Sequence, residues 1–130
     1  MEDTSAYGEF PLRAFLGMEV AEDSPGHSTA SLEVADQHLN PNGVVHGAVL
    51  FALVDTAMGS AAMSVLPEGE YATSVDLQLR FVRPASAGRL TAAVEVLKKG
   101  RTVLHLEGRV EDSDGRLVAT AAGTFTTFSV

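Results

Sequence analysis

The chain has no cysteine among its 130 residues, which removes disulfide frameworks, thiolate metal sites and cysteine nucleophiles together. Basic residues are scarce as well: 9 Lys and Arg stand against 17 Asp and Glu, a formal net charge of −8. Nucleic-acid binding needs a basic face that displaces counterions from phosphates, so no nucleic-acid partner is expected. The opening "MEDTSAYGEF" is acidic and lacks the basic and apolar regions of a secretory signal, which makes a cytoplasmic location the default. A phosphate-binding loop, a dinucleotide fingerprint and a Gly-x-Ser-x-Gly elbow are all missing. His27, His38 and His105 are scattered, with no histidine or carboxylate at ligand spacing, so no metal site is expected. Without repeats or low-complexity linkers, the length fits one domain, 1–130, with 1–9 as a flexible N-terminal segment.

What is present is hydrophobic residue, 45% of the chain, concentrated in one helix and a set of strands. "FPLRAFLG" (10–17) reads as a short helix, since Pro11 suits a first turn and Gly17 a stop. From Met18 to about Val34 two extended pieces flank a Ser24-Pro25-Gly26 turn. "NPNG" (40–43) is another turn, and a long apolar helix starts close to His46. The run from Val44 to Leu66 is long enough to suggest a membrane span. Asp55 near its centre, and Gly59, Ser60, Ala61 and Ala62 beyond it, argue against one.

The period then changes to two. Val75, Leu77, Leu79 and Phe81 alternate with Asp76, Gln78 and Arg80, the pattern of a half-buried strand with the apolar set inside. "RLTAAVEVLKKG" gives a second strand of this group. In a third, Leu104, Leu106 and Val110 face opposite to His105, Glu107 and Arg109, and Asp114-Gly115 turns the chain into "RLVATAAGTFTTF". One long helix on an antiparallel sheet is an α+β fold. A helix apolar nearly all round needs cover on most sides, and one small sheet covers one side, so a second subunit is expected to supply the rest.

Asp55 is the one carboxylate inside this helix. It can cap or pair with a neighbour, or its burial can raise its pKa and fit it for general-base work. At the helix mouth lie Asn40, a tight turn, His46 and Gly47. Backbone N–H groups there are unpaired and at the positive end of the helix dipole, an arrangement that can stabilise a developing oxyanion. Gly47 either admits such an oxygen or packs against the sheet. Gly47 and Asp55 are eight residues apart, about 12 Å at about 1.5 Å per residue. One chain therefore cannot put both on one carbonyl, whereas two helices related by a two-fold axis can.

"HLNPNGVVHGAVLFALVD" resembles the hotdog-fold acyl-CoA thioesterases, in particular the PaaI-type (phenylacetate-pathway) branch, through Asn40, Gly43, His46, Gly47 and Asp55. The likeness continues through "TSVDLQLRFVRPASAG", "VLKKGRTV" and "SDGRLVATAAGTF". It implies a long central helix wrapped by a curved antiparallel sheet, plus the short N-terminal helix, in a dimer and often a dimer of dimers (a homotetramer). It also implies hydrolysis of an acyl-CoA thioester, aryl-, phenylacetyl- or medium-chain, with coenzyme A as part of the substrate and no separate cofactor. By the same resemblance Gly47 holds the thioester carbonyl, His46 and Asn40 order that region, and Asp55 of the other subunit is general base or nucleophile. Ser74, or Thr73 beside it, helps place the water.

One departure is Ala48, where many relatives have a second glycine; its methyl bears on acyl-group preference. Arg80, Arg83, Arg89, Lys98, Lys99 and Arg101, opposed only by Glu95, give the 80–101 window a charge of +5. Such a patch can hold the CoA phosphates, with Arg83, Lys99, Arg101 and Arg80 as candidates, or it can be solvated strand ends. The rival functions are a non-catalytic acyl-CoA-binding module and a hotdog dehydratase or hydratase.

Overall fold

The computed structural model describes residues 8–129. Six strands form one antiparallel sheet around one long helix. In chain order the elements are α1 (Pro11–Leu16), β1 (Glu19–Ser24), β2 (His27–Glu33), a 3-10 turn (Asp36–His38), α2 (Gly47–Met63), β3 (Glu70–Phe81), β4 (Arg89–Lys99), β5 (Val103–Glu111) and β6 (Leu117–Ser129). Spatially the strands run β1-β2-β4-β5-β6-β3, each pair antiparallel. This is the hotdog arrangement that the resemblance implies, and the order of helices and strands is the one read from the periods. Of the segment expected to be flexible, 1–7 lie outside the described residues. Gly8 and Glu9 are tied down by the buried Arg13, whose guanidinium donates to the Gly8 carbonyl and pairs with Glu9.

Pro11 opens α1, and Gly17 closes it in the left-handed region at φ 71°. Helix α2 lies on the concave face, where Leu53, Val54, Ala57, Met58, Ala61 and Ala62 are fully buried against Leu32, Leu90, Leu104, Leu106 and Phe125. Its C-terminal half is small-residue rich, which lets the sheet backbone come close. The buried Ser60 and Ser28 hydroxyls satisfy each other at 3.0 Å, and Ser64 Oγ accepts the Gly26 N–H at 2.8 Å.

The curved sheet covers more of α2 than the expectation of one covered side allowed. A stripe in the N-terminal half stays open: Ala48 and Phe51 are exposed, Ala52 and Asp55 half-buried. These positions recur at i, i+3, i+4 and i+7, so they share one side of the helix. Among the described residues, no helix is long and apolar enough to cross a membrane.

Strand β3 departs from the simple alternation. Ser74 lies opposite Phe125 while Asp76 lies opposite Thr124, so Val75 is the extra residue of a β-bulge. The bulge shifts the parity: Ala72 and Ser74 share the helix side with Leu77 and Leu79, and Val75 turns out to 62% exposure. Phe81, also expected inside, is 55% exposed at the end of the strand. In β5 the expected alternation holds, with Leu104, Leu106 and Val110 buried and His105, Glu107 and Arg109 exposed.

The two sheet edges differ. Strand β1 is six residues long and carries Glu19, Glu22 and Asp23, charges that blunt an edge against further pairing. Strand β3 is twelve residues long, and Tyr71, Val75 and Phe81 along it are exposed.

Candidate active site

The mouth of α2 is built by Asn40. Its Oδ1 accepts the N–H groups of Asn42 (2.9 Å) and Val44 (3.2 Å), and its own N–H donates to the Val44 carbonyl (2.7 Å). Gly43 sits at φ 80°, which this tight loop requires and other residues seldom adopt. The Asn40 carbonyl side of the amide is thus fully used in shaping the loop. His46 is the N-cap: its Nδ1 accepts the Ala48 N–H at 2.9 Å, so the neutral ring carries its proton on Nε2, facing solvent. The Gly47 N–H, at the first helical position, has no acceptor among the described residues.

His38 is a residue whose part was missed in the sequence. It is buried; its Nδ1 accepts the Ala35 N–H (2.9 Å) and its Nε2 donates to the Leu16 carbonyl (2.8 Å). Its backbone carbonyl accepts the N–H of His46 (2.8 Å), tying α1, the 3-10 turn and the helix mouth together. A lone histidine gives no sequence signal for this.

Asp55 opens into a cavity of about 410 Å³ that it shares with Ala48, Phe51, Ala52, Ser74 and Leu77. Burial raises its pKa above the ordinary aspartate value, and a hydrogen bond with the Ser74 side chain pulls the other way. The bulge at Val75 is what puts Ser74 here. Thr73, the other candidate, pairs with Thr126 and does not line this cavity.

Gly47 opens into a different cavity, about 430 Å³, with Val44, Leu50, Phe81, Arg83 and Val118 in its walls. The Asp55 cavity does not include Gly47, and the Gly47 cavity does not include Asp55. The rings of Phe51 and Phe81, edge to face with centroids 6.1 Å apart, stand between the two.

The basic residues do not form one patch in this chain. Arg83 lines the Gly47 cavity, and Arg80 lines a neighbouring one with Phe51 and Thr120. Lys98 and Lys99 pair with His105 and Leu104, and Lys99 is level with Ser74 through Leu104 and Phe125, at the other end of β3 from Arg83. Arg101 follows in the β4–β5 turn. Arg89 is taken up by Glu19, by Ser31 (2.7 Å) and by Glu33 (3.8 Å). Among the described residues, no group of three or more carboxylates and histidines is arranged to hold a metal.

Comparison with known proteins agrees with this geometry. A long helix wrapped by a six-stranded antiparallel sheet is the hotdog fold. Residues 42–119 match the family profile described as the Thioesterase superfamily, and the chain belongs to that family. The protein SSO2140 of Saccharolobus solfataricus is 30% identical over 111 residues, covering 85% of this chain and 79% of that one. Acyl-coenzyme A thioesterase 13 of Pongo abelii is 30% identical over 81 residues, 62% of this chain and 57% of that protein. In three dimensions the chain is similar to the E. coli PaaI protein from the phenylacetic acid degradation operon. That match has a TM-score of 0.87 at 27% identity and covers 95% of this chain and 88% of that one.

Proposed function

We propose that the chain hydrolyses acyl-CoA thioesters, with aryl or medium-chain acyl groups, at a site made by two copies of itself. The observation that carries this reading is the separation of the two halves: the Gly47 N–H and the Asp55 carboxylate open into different cavities with an aromatic pair between them. Each half is incomplete alone. The long β3 edge, with Tyr71, Val75 and Phe81 exposed along it, supports antiparallel pairing with a second β3, and that pairing brings the Asp55 end of one chain toward the Gly47 end of the other. The relative named as an acyl-coenzyme A thioesterase supports the substrate class.

In this reading the thioester carbonyl oxygen accepts the Gly47 N–H at the positive end of α2, where negative charge develops on attack. Asp55 of the partner subunit takes a proton from a water as that water's oxygen bonds to the carbonyl carbon. The raised pKa makes its carboxylate a better base than an ordinary aspartate, and Ser74 orients it. Collapse of the tetrahedral species breaks the C–S bond; the coenzyme A thiolate leaves and is protonated. A direct attack by Asp55 through an acyl anhydride is the alternative route to the same products. Label in Asp55 after a single turnover in ¹⁸O water would establish the anhydride route, since it enters when water attacks the Asp55 carbonyl carbon of the anhydride. Arg83 beside the Gly47 cavity is a partner for the substrate's phosphates, and Lys98, Lys99 and Arg101 serve a site at the opposite sheet end.

The test is thiol release from a panel of acyl-CoAs by wild type and Asp55→Asn. Loss of turnover with retained acyl-CoA binding is expected. A wild type that binds acyl-CoA yet frees no thiol from any panel member would show a binding module instead. Mixing inactive Gly47→Val and Asp55→Asn proteins should restore activity toward about a quarter of wild type, because half the re-formed dimers hold one intact site. No recovery on proven subunit exchange would refute the shared site.

A further inference from the structure

A methyl group built on Gly47 lies 3.1 Å from Cζ of Phe81, with the two flanking ring carbons at 3.5 and 3.7 Å. The space that a side chain at position 47 would take is thus filled by this ring, half of which faces solvent. The ring in turn meets Phe51 at an interplanar angle of 65°, and Phe51 lines the Asp55 cavity. Gly47 and Phe81 line one cavity, so a thioester whose carbonyl oxygen accepts the Gly47 N–H there has the Phe81 ring as its neighbour. Arg83 is the cation of the same cavity, so the phosphate-bearing arm of the substrate lies toward it and the acyl arm lies toward the aromatic pair.

We propose that Phe81 is the residue that sets acyl-group selectivity, its ring giving a flat apolar face to the acyl chain at the Gly47 mouth. This rests on the thioesterase reading given above. Flat acyl groups gain the ring face, while a group branched next to the carbonyl meets its edge. Glycine is needed at 47 in part to seat this ring, so the two positions act as a unit.

The experiment measures kcat/KM for benzoyl-, phenylacetyl-, hexanoyl- and isobutyryl-CoA in wild type, Phe81→Ala, Phe81→Leu, Gly47→Ala and the double variant Gly47→Ala/Phe81→Ala. Gly47→Ala keeps the N–H and adds only a methyl. Phe81→Ala should lower the aryl-to-branched ratio by three- to tenfold, a range that aromatic contacts support. Gly47→Ala should shift the ratio in the same direction in the wild-type background and by less than twofold when Phe81 is already Ala. An unchanged ratio in Phe81→Ala, or an equal effect of Gly47→Ala in both backgrounds, would overturn the proposal. Phe81→Leu retains apolar bulk and gives a second reading if the alanine variant folds poorly. Binding of non-hydrolysable thioether analogues is measured in the same set. If the wild type frees no thiol but the binding ratio still moves, the thioesterase reading fails and the role of Phe81 stands.

Discussion

Gly108 and Gly123 lie on the inner side of adjacent strands, and replacing each by alanine should destabilise the protein to different extents. At Gly108 the new methyl lies 2.6 Å from Cγ1 of Val94 and 3.0 Å from the Ala93 carbonyl oxygen. Valine has a stiff χ1 and the carbonyl is backbone, so neither can yield without moving β4. At Gly123 the methyl meets Sδ of Met58 at 2.6 Å and Cδ1 of Leu77 at 3.3 Å. Methionine has three rotatable bonds, so much of that clash relaxes by rotation. Overpacking costs about 1–3 kcal/mol, and removing a glycine from the unfolded chain returns about 0.4–1 kcal/mol. The net is about 2 kcal/mol for Gly108→Ala and under about 1 kcal/mol for Gly123→Ala. With an unfolding entropy of about 2.1 cal/mol/K per residue, these become Tm losses of about 7 °C and about 4 °C or less. Scanning calorimetry at fixed protein concentration reads both, which keeps any subunit linkage constant. A Gly108→Ala variant that melts with or above Gly123→Ala would refute the reasoning, since it would mean β4 yields more easily than one methionine.

Asp55→Asn should melt higher than wild type at neutral pH. The folded-state pKa of Asp55 is raised by burial, so its ionisation favours the unfolded chain; the advantage of Asn should fade as pH falls through the folded-state pKa toward 3.8. Melting curves from pH 4 to 8 check this, and a gain that grows toward low pH would contradict it. Ser74→Ala removes the hydrogen bond that lowers the Asp55 pKa, so the acid limb of the kcat–pH profile should move to higher pH. Asn40→Ala leaves the Asn42 and Val44 N–H groups without their acceptor and should lose about 1 kcal/mol in urea melts, whereas Asn40→Asp, which keeps an acceptor there, should lose little.

The periods of the sequence carried the element order because β2, β4 and β5 each keep a single parity over their buried residues. The long helix was legible for the same reason, and its start at the His46 cap follows from the turn before it. What the periods did not show was the bulge at Val75. One extra residue in a strand leaves no mark in composition, yet it reverses which side chains face the helix. Ser74 was therefore legible only through the family resemblance, and the register could not be fixed between it and Thr73. The stripe Ala48, Phe51, Ala52 and Asp55 has helical spacing and could have been read from the sequence as one open side. The contact of Phe81 with Gly47 could not, because it joins an element end to a helix mouth across more than thirty residues. The local +5 charge was real in sequence but not in space, since β4 carries its two ends to opposite sides of the sheet.

Strand β3 follows α2 directly, yet among the described residues of the chain it pairs with β6, reached after β4 and β5 have been laid down. During folding, β3 must wait for the β4–β5–β6 meander, whose short turns close sooner than this long loop. The Asp55–Ser74 pocket is then among the last parts to form. Within one chain the same strand is held along one side, by β6, so in a chain without its partner opening begins at β3. At dilutions where the copies separate, amide exchange should release β3 before β5, so partial unfolding would silence the site while most of the sheet still stands.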